Sequence, residues 1–218
     1  YREGAVGLSL HGDIVVDTVV AQGCKPIGAA MRITAARDNV LLEVDGNPSI
    51  RMLESTYESL TESDQALIQN SLFLGIAMDP LQLSVSPGDF LIRNVIGADP
   101  NNGALYIGAR LHEGQLVQFH VHDADTSAAD LRSCLESYVR DVHGSQAAGA
   151  LLFSCVGRGT NLYQDPDHDV GIFQDIVGDL PVGGFFCNGE VGPVGGVTYL
   201  HGFTSCFGLF RPKVVAED

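Results

Sequence analysis

The sequence predicts an α+β fold in which largely antiparallel sheet layers have helices packed on their outside. Strand-like segments outnumber helical ones, and residues 90–96, 104–109 and 116–122 are successive strand-like runs without an intervening helix. Parallel neighbours need a crossover of about a dozen residues, so this order indicates an antiparallel meander. An αββα-type sandwich is the nearest alternative, and the sequence leaves it open.

The first third of the chain is rich in short β-type runs. Strands are predicted over residues 6–10, 14–20, 31–34 and 40–44, with turns at 12–13 and 37–39. A helix follows, because Asn47 is a candidate N-cap, Pro48 suits the first turn, and apolar residues recur at helical spacing up to Leu60. A second short helix is predicted to start at Thr61 or Ser63.

The remaining elements follow from the same periodicities. Further strands are predicted over residues 72–78, 150–155, 184–187 and 203–210. One long helix is predicted from Thr126 to about His143, with Gly144 as its stop, and a last helix from Asp169 to Val177. The change from strands to helix near residue 48 is the one internal boundary, so we predict two segments, 1–48 and 49–218.

Charge and hydropathy exclude two classes of partner. The chain has 12 basic and 27 acidic side chains, a formal net charge of −15. This is the wrong sign for phosphate backbones or anionic lipid. No run approaches the roughly 18 consecutive apolar residues that suggest a membrane span. We therefore expect neither nucleic acid nor a membrane as a partner.

The five cysteines are dispersed, and none forms a CxxC pair. They encode neither a disulfide framework nor a zinc ribbon, and this usage predicts reduced thiols and a cytoplasmic location. The N-terminus has neither an initiator Met nor an apolar signal segment, so we interpret the chain as a fragment of a longer protein.

The run Leu116–His122 alternates in a way that puts His120 and His122 on one face, with Gln118 beside them. Two histidines at this spacing are a plausible pair of metal ligands, but a polar solvent face gives the same pattern. A metal site needs three or four converging ligands. We therefore predict no metal and no cofactor.

Residues 154–163 read SCVGRGTNLY and follow an apolar run. Gly157 and Gly159 allow a sharp turn, and the planar guanidinium of Arg158 suits a carboxylate or a phosphate. The segment matches neither GxGxxG nor the P-loop, so dinucleotide or nucleoside triphosphate binding is not supported. The alternative is a strand-to-helix turn that carries a solvated arginine.

The stretch at residues 183–204, GGFFCNGEVGPVGGVTYLHGFT, contains a candidate nucleophile and base. Cys187 follows an apolar run and precedes a turn, where a thiolate can sit, and His201 is its candidate base. The alternative is a buried structural thiol, because free cysteine is among the most buried residue types. Cys24 raises the same question, since the neighbouring Lys25 can lower its pKa.

Glu190 lies among glycines in the same stretch, and the next lysine or arginine along the chain is Arg211. A carboxylate in this setting either receives a ligand ammonium or accepts hydrogen bonds from nearby backbone N–H groups. Both interpretations stay open at the level of sequence.

Four segments read GDIVVDTVVAQGCKPIG, EVDGNPSIRMLES, LFSCVGRGTNLY and GGFFCNGEVGPVGGVTYLHGFT. In this order and spacing they resemble the FIST family, named for F-box and intracellular signal transduction proteins. Residues up to about 48 resemble the end of the FIST N-terminal region, and the rest resembles the FIST C-terminal domain.

The resemblance implies a sensory module of a signal transduction protein that binds small ligands such as amino acids. It also implies signalling output domains or proteins as partners. The family supplies no catalytic residues to carry over, so we predict ligand sensing without turnover. Two alternatives remain: a thiol-dependent amide or ester hydrolase that uses Cys187 and His201, and a protein-interaction module without a small ligand.

A free amino acid presents a carboxylate and an ammonium group, so its pocket needs a cationic donor and an anionic acceptor that face one another. We predict that residues 183–204, with Cys187 and His201 among them, form the wall of a small polar pocket in which Glu190 and Asn188 face Arg158. Both turns follow apolar strands, so they share one sheet edge if those strands are neighbours.

Overall fold

The computed structural model of the chain describes residues 4–5, 7–69, 71–79, 85–86, 88–142, 146–194 and 196–213. Its strands are β1 (Ile14–Ala21), β2 (Cys24–Arg37), β3 (Val40–Val44), β4 (Asn47–Pro48), β5 (Leu72–Ala77), β6 (Phe90–Asp99), β7 (Ala104–Ile107), β8 (Leu116–His122), β9 (Gly149–Cys155), β10 (Val182–Cys187), β11 (Glu190–Val194), β12 (Val197–His201) and β13 (Ser205–Pro212). Its helices are α1 (Ser49–Ser59), α2 (Glu62–Ile68), α3 (Ala124–Asp141), α4 (Thr160–Tyr163) and α5 (His168–Val177). The predicted α+β class, with largely antiparallel sheets, is confirmed.

The larger sheet has seven strands in the order β2-β8-β5-β6-β7-β3-β4, and β2 also pairs with β3, so the sheet is barrel-like. Its core contains Ile33, Leu74 and Phe119, each at most 1% exposed. α1 and α2 pack against this core through partly buried apolar side chains such as Leu53 and Leu67. Burying these side chains supplies most of the driving force for this half of the fold.

β8 lies between β2 and β5, and six of its seven residues are buried. A strand that is apolar or buried on both faces is stable in the middle of a sheet and not at its edge. The predicted meander of three strands is right for β6 and β7, which pair antiparallel, but wrong for β8, which pairs with β2 and β5 instead of β7. The solvent-facing interpretation of His120 and His122 is also wrong, because these side chains are only 2% and 9% exposed.

The smaller sheet has four strands in the order β1-β13-β9-β10. β10 runs parallel to β9, whereas the other neighbours are antiparallel. One face is covered by α3 and α5, where Leu131, Leu135 and Phe173 pack against Phe207 and Leu209. The rings of Phe173 and Phe207 stack with centroids 5.0 Å apart.

The strand directions bring the carboxyl ends of three strands to one edge of the smaller sheet. β1 and β9 both run antiparallel to β13, so the carboxyl ends of β1, β9 and β10 point the same way. Cys155 and Cys187, the last residues of β9 and β10, are direct neighbours across the sheet. The inference that the turns after these two strands share one edge is confirmed.

The glycine-rich stretch beyond β10 contains the antiparallel hairpin β11–β12, which the sequence does not predict. Glu190 and His201 face each other at its open end, and their side chains are both buried. Valines and a leucine at Val191, Val197 and Leu200 point to the surface instead. The stretch thus reverses the chain between two strands of the smaller sheet and keeps two polar side chains inside.

Smaller differences concern element ends. Residues 7–10 are not a strand, and Val6 lies outside the described residues. The cap of α1 is Pro48 without a side-chain hydrogen bond, not Asn47, which pairs in β4. The predicted end of the long helix at His143 and Gly144 also lies outside the described residues, whereas Asp123 caps its start by accepting from the Thr126 N–H.

The two predicted segments, 1–48 and 49–218, share sheets in the structure. β1 pairs with β13 of the smaller sheet, and β2 pairs with β8 of the larger one. The connection between β1 and β2 therefore passes from one sheet to the other within residues 22–23.

Candidate functional site

Arg158 follows β9 and is held inside the protein by the helices that cover the smaller sheet. Its side chain is fully buried and donates two hydrogen bonds to Asp169 of α5, at 2.8 and 2.9 Å. A third bond runs to the Ser127 hydroxyl in the first turn of α3. Burial opposes the charged guanidinium, but the bonds and charge of Asp169 outweigh it and raise the pKa of Arg158.

Glu190 is also buried, but its partners are a hydroxyl and a thiol. The Thr204 hydroxyl donates to one carboxylate oxygen at 2.6 Å, and the Cys187 thiol donates to the other at 3.3 Å. Glu190 and Arg158 form no ion pair with each other, so the two charges do not contact directly. The physical reason is that α5 places Asp169 in a bidentate position against Arg158, so the charge of the guanidinium is balanced without Glu190.

The environment of Cys187 favours the thiol over the thiolate. Burial, the hydrogen bond to Glu190 and the charge of Glu190 together raise its pKa to about 12. His201 forms no hydrogen bond with the sulfur: its Nε2 is bonded to the backbone oxygen of Gly192, and its Nδ1 has no partner. The geometry that a cysteine hydrolase requires, a thiol within hydrogen-bond reach of its base, is therefore absent between these two residues.

The environment of Cys24 also favours the thiol over the thiolate. Burial raises its pKa to about 12. The ammonium of Lys25 forms an ion pair with Asp64 at 2.7 Å instead of with the thiol. The hypothesis that Lys25 lowers the pKa of Cys24 is therefore wrong.

A cleft of about 430 Å³, here called the inter-sheet cleft, lies where the two sheets meet. One wall is formed by β6 of the larger sheet, including Arg93. The other is formed by the turns after β9 and β10 and by the end of β12, including Gly157, Asn188 and His201. Two of the five predicted site residues, Asn188 and His201, thus line one cavity. Arg158, Cys187 and Glu190 are not among the residues that line it.

A second cavity, of about 280 Å³, lies on the helix side of β10. Gly183, Gly184 and Phe186 form one wall, and Asp169 and Val170 of α5 form the other. It contains two carboxylates: Asp169 is already paired with Arg158, and Asp167 is exposed to solvent. The inter-sheet cleft is therefore the better candidate site for a polar ligand.

Arg93 is the cationic group of the inter-sheet cleft, and the sequence reasoning missed it. Its guanidinium donates to the backbone oxygens of Ile92 at 2.9 Å and Leu200 at 3.0 Å. Among the described residues, no carboxylate forms an ion pair with it. Burial lowers its pKa because the guanidinium is partly removed from water. The available signal was a lone arginine inside an apolar strand run, FLIRNVI.

His201 is the second polar group of the inter-sheet cleft. Its side chain is 2% exposed, and its Nε2 lies 3.0 Å from the Gly192 oxygen. A carbonyl oxygen only accepts hydrogen bonds, so Nε2 carries the proton. Burial and the charge of Arg93 lower the pKa of the ring, against opposing effects of Gly192 and Glu190. The neutral ring therefore presents a lone pair at Nδ1.

Nδ1 of His201 is a buried polar atom without a hydrogen-bond partner. Within the described part of the chain, the other buried side-chain atoms in this position are His122 Nε2, Tyr163 Oη and Ser205 Oγ. Only His201 of this set lines the inter-sheet cleft. An unpaired buried acceptor costs about 1–3 kcal/mol.

The predicted histidine pair on β8 does not form a metal site with its surroundings. Phe90 and Phe73 stand edge-on to the rings of His120 and His122. Across residues 4–213, apart from those that the structure does not describe, no group of three or more His, Cys, Asp or Glu side chains is arranged to hold a metal ion. Within the same residues, no helix is long and apolar enough to cross a membrane.

Comparison with known proteins gives two family matches and several relatives. The FIST C domain model matches residues 52–193, and the FIST N domain model matches residues 1–47. An uncharacterized protein of Mycobacterium tuberculosis strain H37Rv is 40% identical over 207 residues, which is 95% of this chain and 54% of that protein. An uncharacterized protein of Mycobacterium bovis is 39% identical over 95% of this chain and 53% of its own length. The chain spans about half the length of these curated relatives.

Proposed function

Because the chain belongs to the FIST family, whose domains are associated with sensory functions in signal transduction, we propose that it is a sensory module that binds a small ligand in the inter-sheet cleft. The ligand is a small metabolite with a carboxylate, and amino acids are the class that family membership favours. No step of catalysis is part of this proposal.

The observation that carries the proposal is Arg93. A guanidinium has five N–H donors, and two hydrogen bonds to backbone oxygens leave donors for a ligand. No described carboxylate neutralises its charge, in contrast to Arg158, which is fully paired with Asp169. A carboxylate is the chemical group that matches a guanidinium in charge and in planar geometry.

The remaining walls suit a small ligand. Pockets for small molecules typically measure about 300–1,000 Å³, and the cleft of about 430 Å³ lies in the lower part of that range. The side-chain amide of Asn188 adds two N–H donors and one carbonyl acceptor. Gly157, Gly189 and Gly202 line the same space without side chains, so a ligand can approach the backbone closely.

A thermal-shift screen tests the proposal. The twenty proteinogenic amino acids are added separately to the wild-type chain and to Arg93→Gln, with Arg110→Gln as a matched control because Arg110 is exposed. Binding at a hundredfold excess over Kd stabilises the native state by about 2.7 kcal/mol. We expect at least one amino acid to raise the melting temperature of the wild type and of Arg110→Gln but not of Arg93→Gln.

Two results would contradict the proposal. One is a ligand-induced shift that Arg93→Gln retains in full. The other is the absence of any shift with all twenty amino acids and with simple carboxylates at 10 mM, far above a Kd of about 1 mM, which corresponds to only about −4.1 kcal/mol of binding. The second result would favour the protein-interaction alternative, to which exposed Phe185 and Phe186 on the edge strand β10 already give some support.

The setting of this module in a longer protein is part of the same proposal. We propose that residues 1–48 end a FIST N-terminal region and that residues 49–218 form a FIST C-terminal domain, which the positions of the two family matches support. A cytoplasmic location is proposed as well, and the free state of all five cysteines is consistent with a reducing compartment. Output domains or proteins would receive the signal.

A further inference from the structure

We propose that the uncovered face of the smaller sheet is the docking surface for the part of the FIST N-terminal region that precedes residue 1 in the longer protein. This inference rests on the proposal that residues 1–48 end such a region. It assigns a surface for a protein segment, in addition to the inter-sheet cleft proposed for a small ligand.

The smaller sheet has one covered face and one open face. α3 and α5 pack on the first, whereas α1 and α2 pack on the larger sheet. Side chains alternate along a strand, and on the open face the register places Val16 beside Phe210. Phe153 and Phe185 are neighbours on the same face, with ring centroids 5.4 Å apart. These four helices therefore leave a row of apolar side chains uncovered.

The open face is apolar and carries no charge. Ile14, Val16 and Phe185 are 43%, 47% and 64% exposed. None of the positions that the registers place on this face, across all four strands, is Asp, Glu, Lys or Arg. The β11–β12 hairpin covers the end near Val20, where Gly192 lies against that side chain. An apolar surface that spans a whole sheet is typical of an interface with another protein segment.

Two observations identify the occupant as the preceding part of the FIST N-terminal region. β1 lies within residues 1–47, which the FIST N domain model matches, so this region already contributes one strand to the open face. Residues 7–11, just before β1, form no strand, yet Leu8 and Leu10 have strand spacing and are 79% and 44% exposed. Leucines at this spacing fit a strand that pairs and packs with chain outside this segment.

Length and charge favour this occupant over a second copy of the chain. The match covers 54% of the Mycobacterium tuberculosis relative, so nearly half of that protein remains to form another layer. Two copies of a chain with net charge −15 repel each other. We therefore expect the N-terminal region to present an apolar sheet, with residues 7–11 as one of its strands, that packs about 10 Å from the open face.

Hydroxyl-radical footprinting with mass spectrometry tests the inference on the 218-residue chain and on the full-length protein that contains it. Phe185 and Val16 report on the open face. Ile96 of β6 and Val139 of α3 are matched controls, because they are 66% and 48% exposed. We expect several-fold lower labelling of Phe185 and Val16 in the full-length protein and unchanged labelling of the controls. Hydrogen exchange at the amides of residues 8–10 should slow in parallel.

A pair of lysine variants tests the energetics of the same surface. Val16 and Val139 are 47% and 48% exposed, so the 218-residue chain should tolerate a lysine equally at either position. In the full-length protein, we expect Val16→Lys to lower the melting temperature by about 5–10 °C, because it buries a charge without a partner. Val139→Lys should cause no comparable loss.

Equal labelling of Phe185 and Val16 in the two proteins would overturn the inference and leave the ligand site in the cleft unaffected. Protection that appears in the 218-residue chain as its concentration rises, and that the N-terminal region does not increase, would assign the face to a second copy and also overturn it. A full-length sequence without a FIST N-terminal region before residue 1 would overturn both the proposed setting and this inference. If Val16→Lys does not fold, footprinting of the wild type still decides.

Discussion

The guanidinium of Arg158 is buried among polar partners that the protein itself supplies, whereas that of Arg93 lines a cleft without a described carboxylate beside it. Removing one partner of a buried ion pair costs about 3–5 kcal/mol, because it leaves a charge unpaired in a low-dielectric interior. Arg158 and Asp169 therefore contribute to folding. Arg93 is the arginine whose charge remains available for recognition.

Glu190 adds to the high pKa of Cys187, and the variant Glu190→Gln tests this contribution. Burial is the largest cause of the high pKa of Cys187, and Glu190 adds to it through a hydrogen bond and its charge. We expect the neutral amide to lower the pKa and to raise the rate of iodoacetamide labelling of Cys187 at pH 8, because the thiolate fraction grows about tenfold for each unit by which the pKa falls and outweighs the smaller loss of nucleophilicity.

Mass spectrometry of the labelled peptides measures this rate, and Cys24 in the same molecule is the internal control because it is buried elsewhere. An unchanged rate at Cys187 would show that burial alone keeps the thiol protonated. Equal acceleration at both cysteines would instead report that the variant opens the fold.

At the scale of elements, the junction between β1 and β2 depends on Gly23. Its φ is +65°, and an added Cβ would lie 2.5 Å from the Ser127 Cα in the first turn of α3. Its N–H also donates to Asp130 of α3 at 3.1 Å. The missing side chain and this hydrogen bond let the chain pass from one sheet to the other in close contact with α3, whose Ser127 also binds Arg158.

The variant Gly23→Ala should therefore cost more than backbone strain alone. Gly46 has a similar φ of +75° but open space around its Cα, so Gly46→Ala measures the strain by itself, about 1–2 kcal/mol. We expect Gly23→Ala to cost a further 1–3 kcal/mol or so, because the backbone of α3 must shift. Urea unfolding of the two variants measures the difference, and equal costs would show that α3 moves away without penalty.

At the scale of the whole molecule, the buried histidines make stability depend on pH. Burial lowers the pKa of both His120 and His122 to about 4, and the pKa of His201 is also lowered, mainly by burial. In the unfolded chain these residues bind protons near pH 6.5. Stability should thus be level between pH 6.5 and about 8, below the range in which thiols of the unfolded chain ionise, and fall as the pH drops from 6.5 toward about 4, because the histidines of the unfolded state gain protons in that window.

The expected loss between pH 7.5 and pH 5 is on the order of a few kcal/mol, measured by urea unfolding at each pH. His120→Gln should reduce the slope, whereas the exposed His112→Gln should not. The carboxylates with lowered pKa values, Asp123 and Asp169, add to the loss only below their unfolded pKa near 3.9. A flat profile between pH 7.5 and pH 5 would contradict this account of the histidines.

Local periodicity explains which parts of the fold were predictable. β3 and β8 lie where the sequence places them, and α5 begins within one residue of its predicted start, because apolar spacing and turn residues act over short stretches of chain. The hairpin β11–β12 was missed because its glycines and proline read as a turn-rich loop, and the pairing of Glu190 with His201 depends on register.

The sequence by itself determined the α+β class, the family and the short list of polar residues near the carboxyl edge of the smaller sheet. Only the tertiary structure decided the partner of each charge. Asp169 reaches Arg158 because α5 packs on β9, and Arg93 reaches Leu200, 107 residues away along the chain, because the two sheets meet there. The free energy of a buried charge depends on the groups within a few ångströms of it, and neighbours in space from different elements are not encoded in the spacing of any one segment.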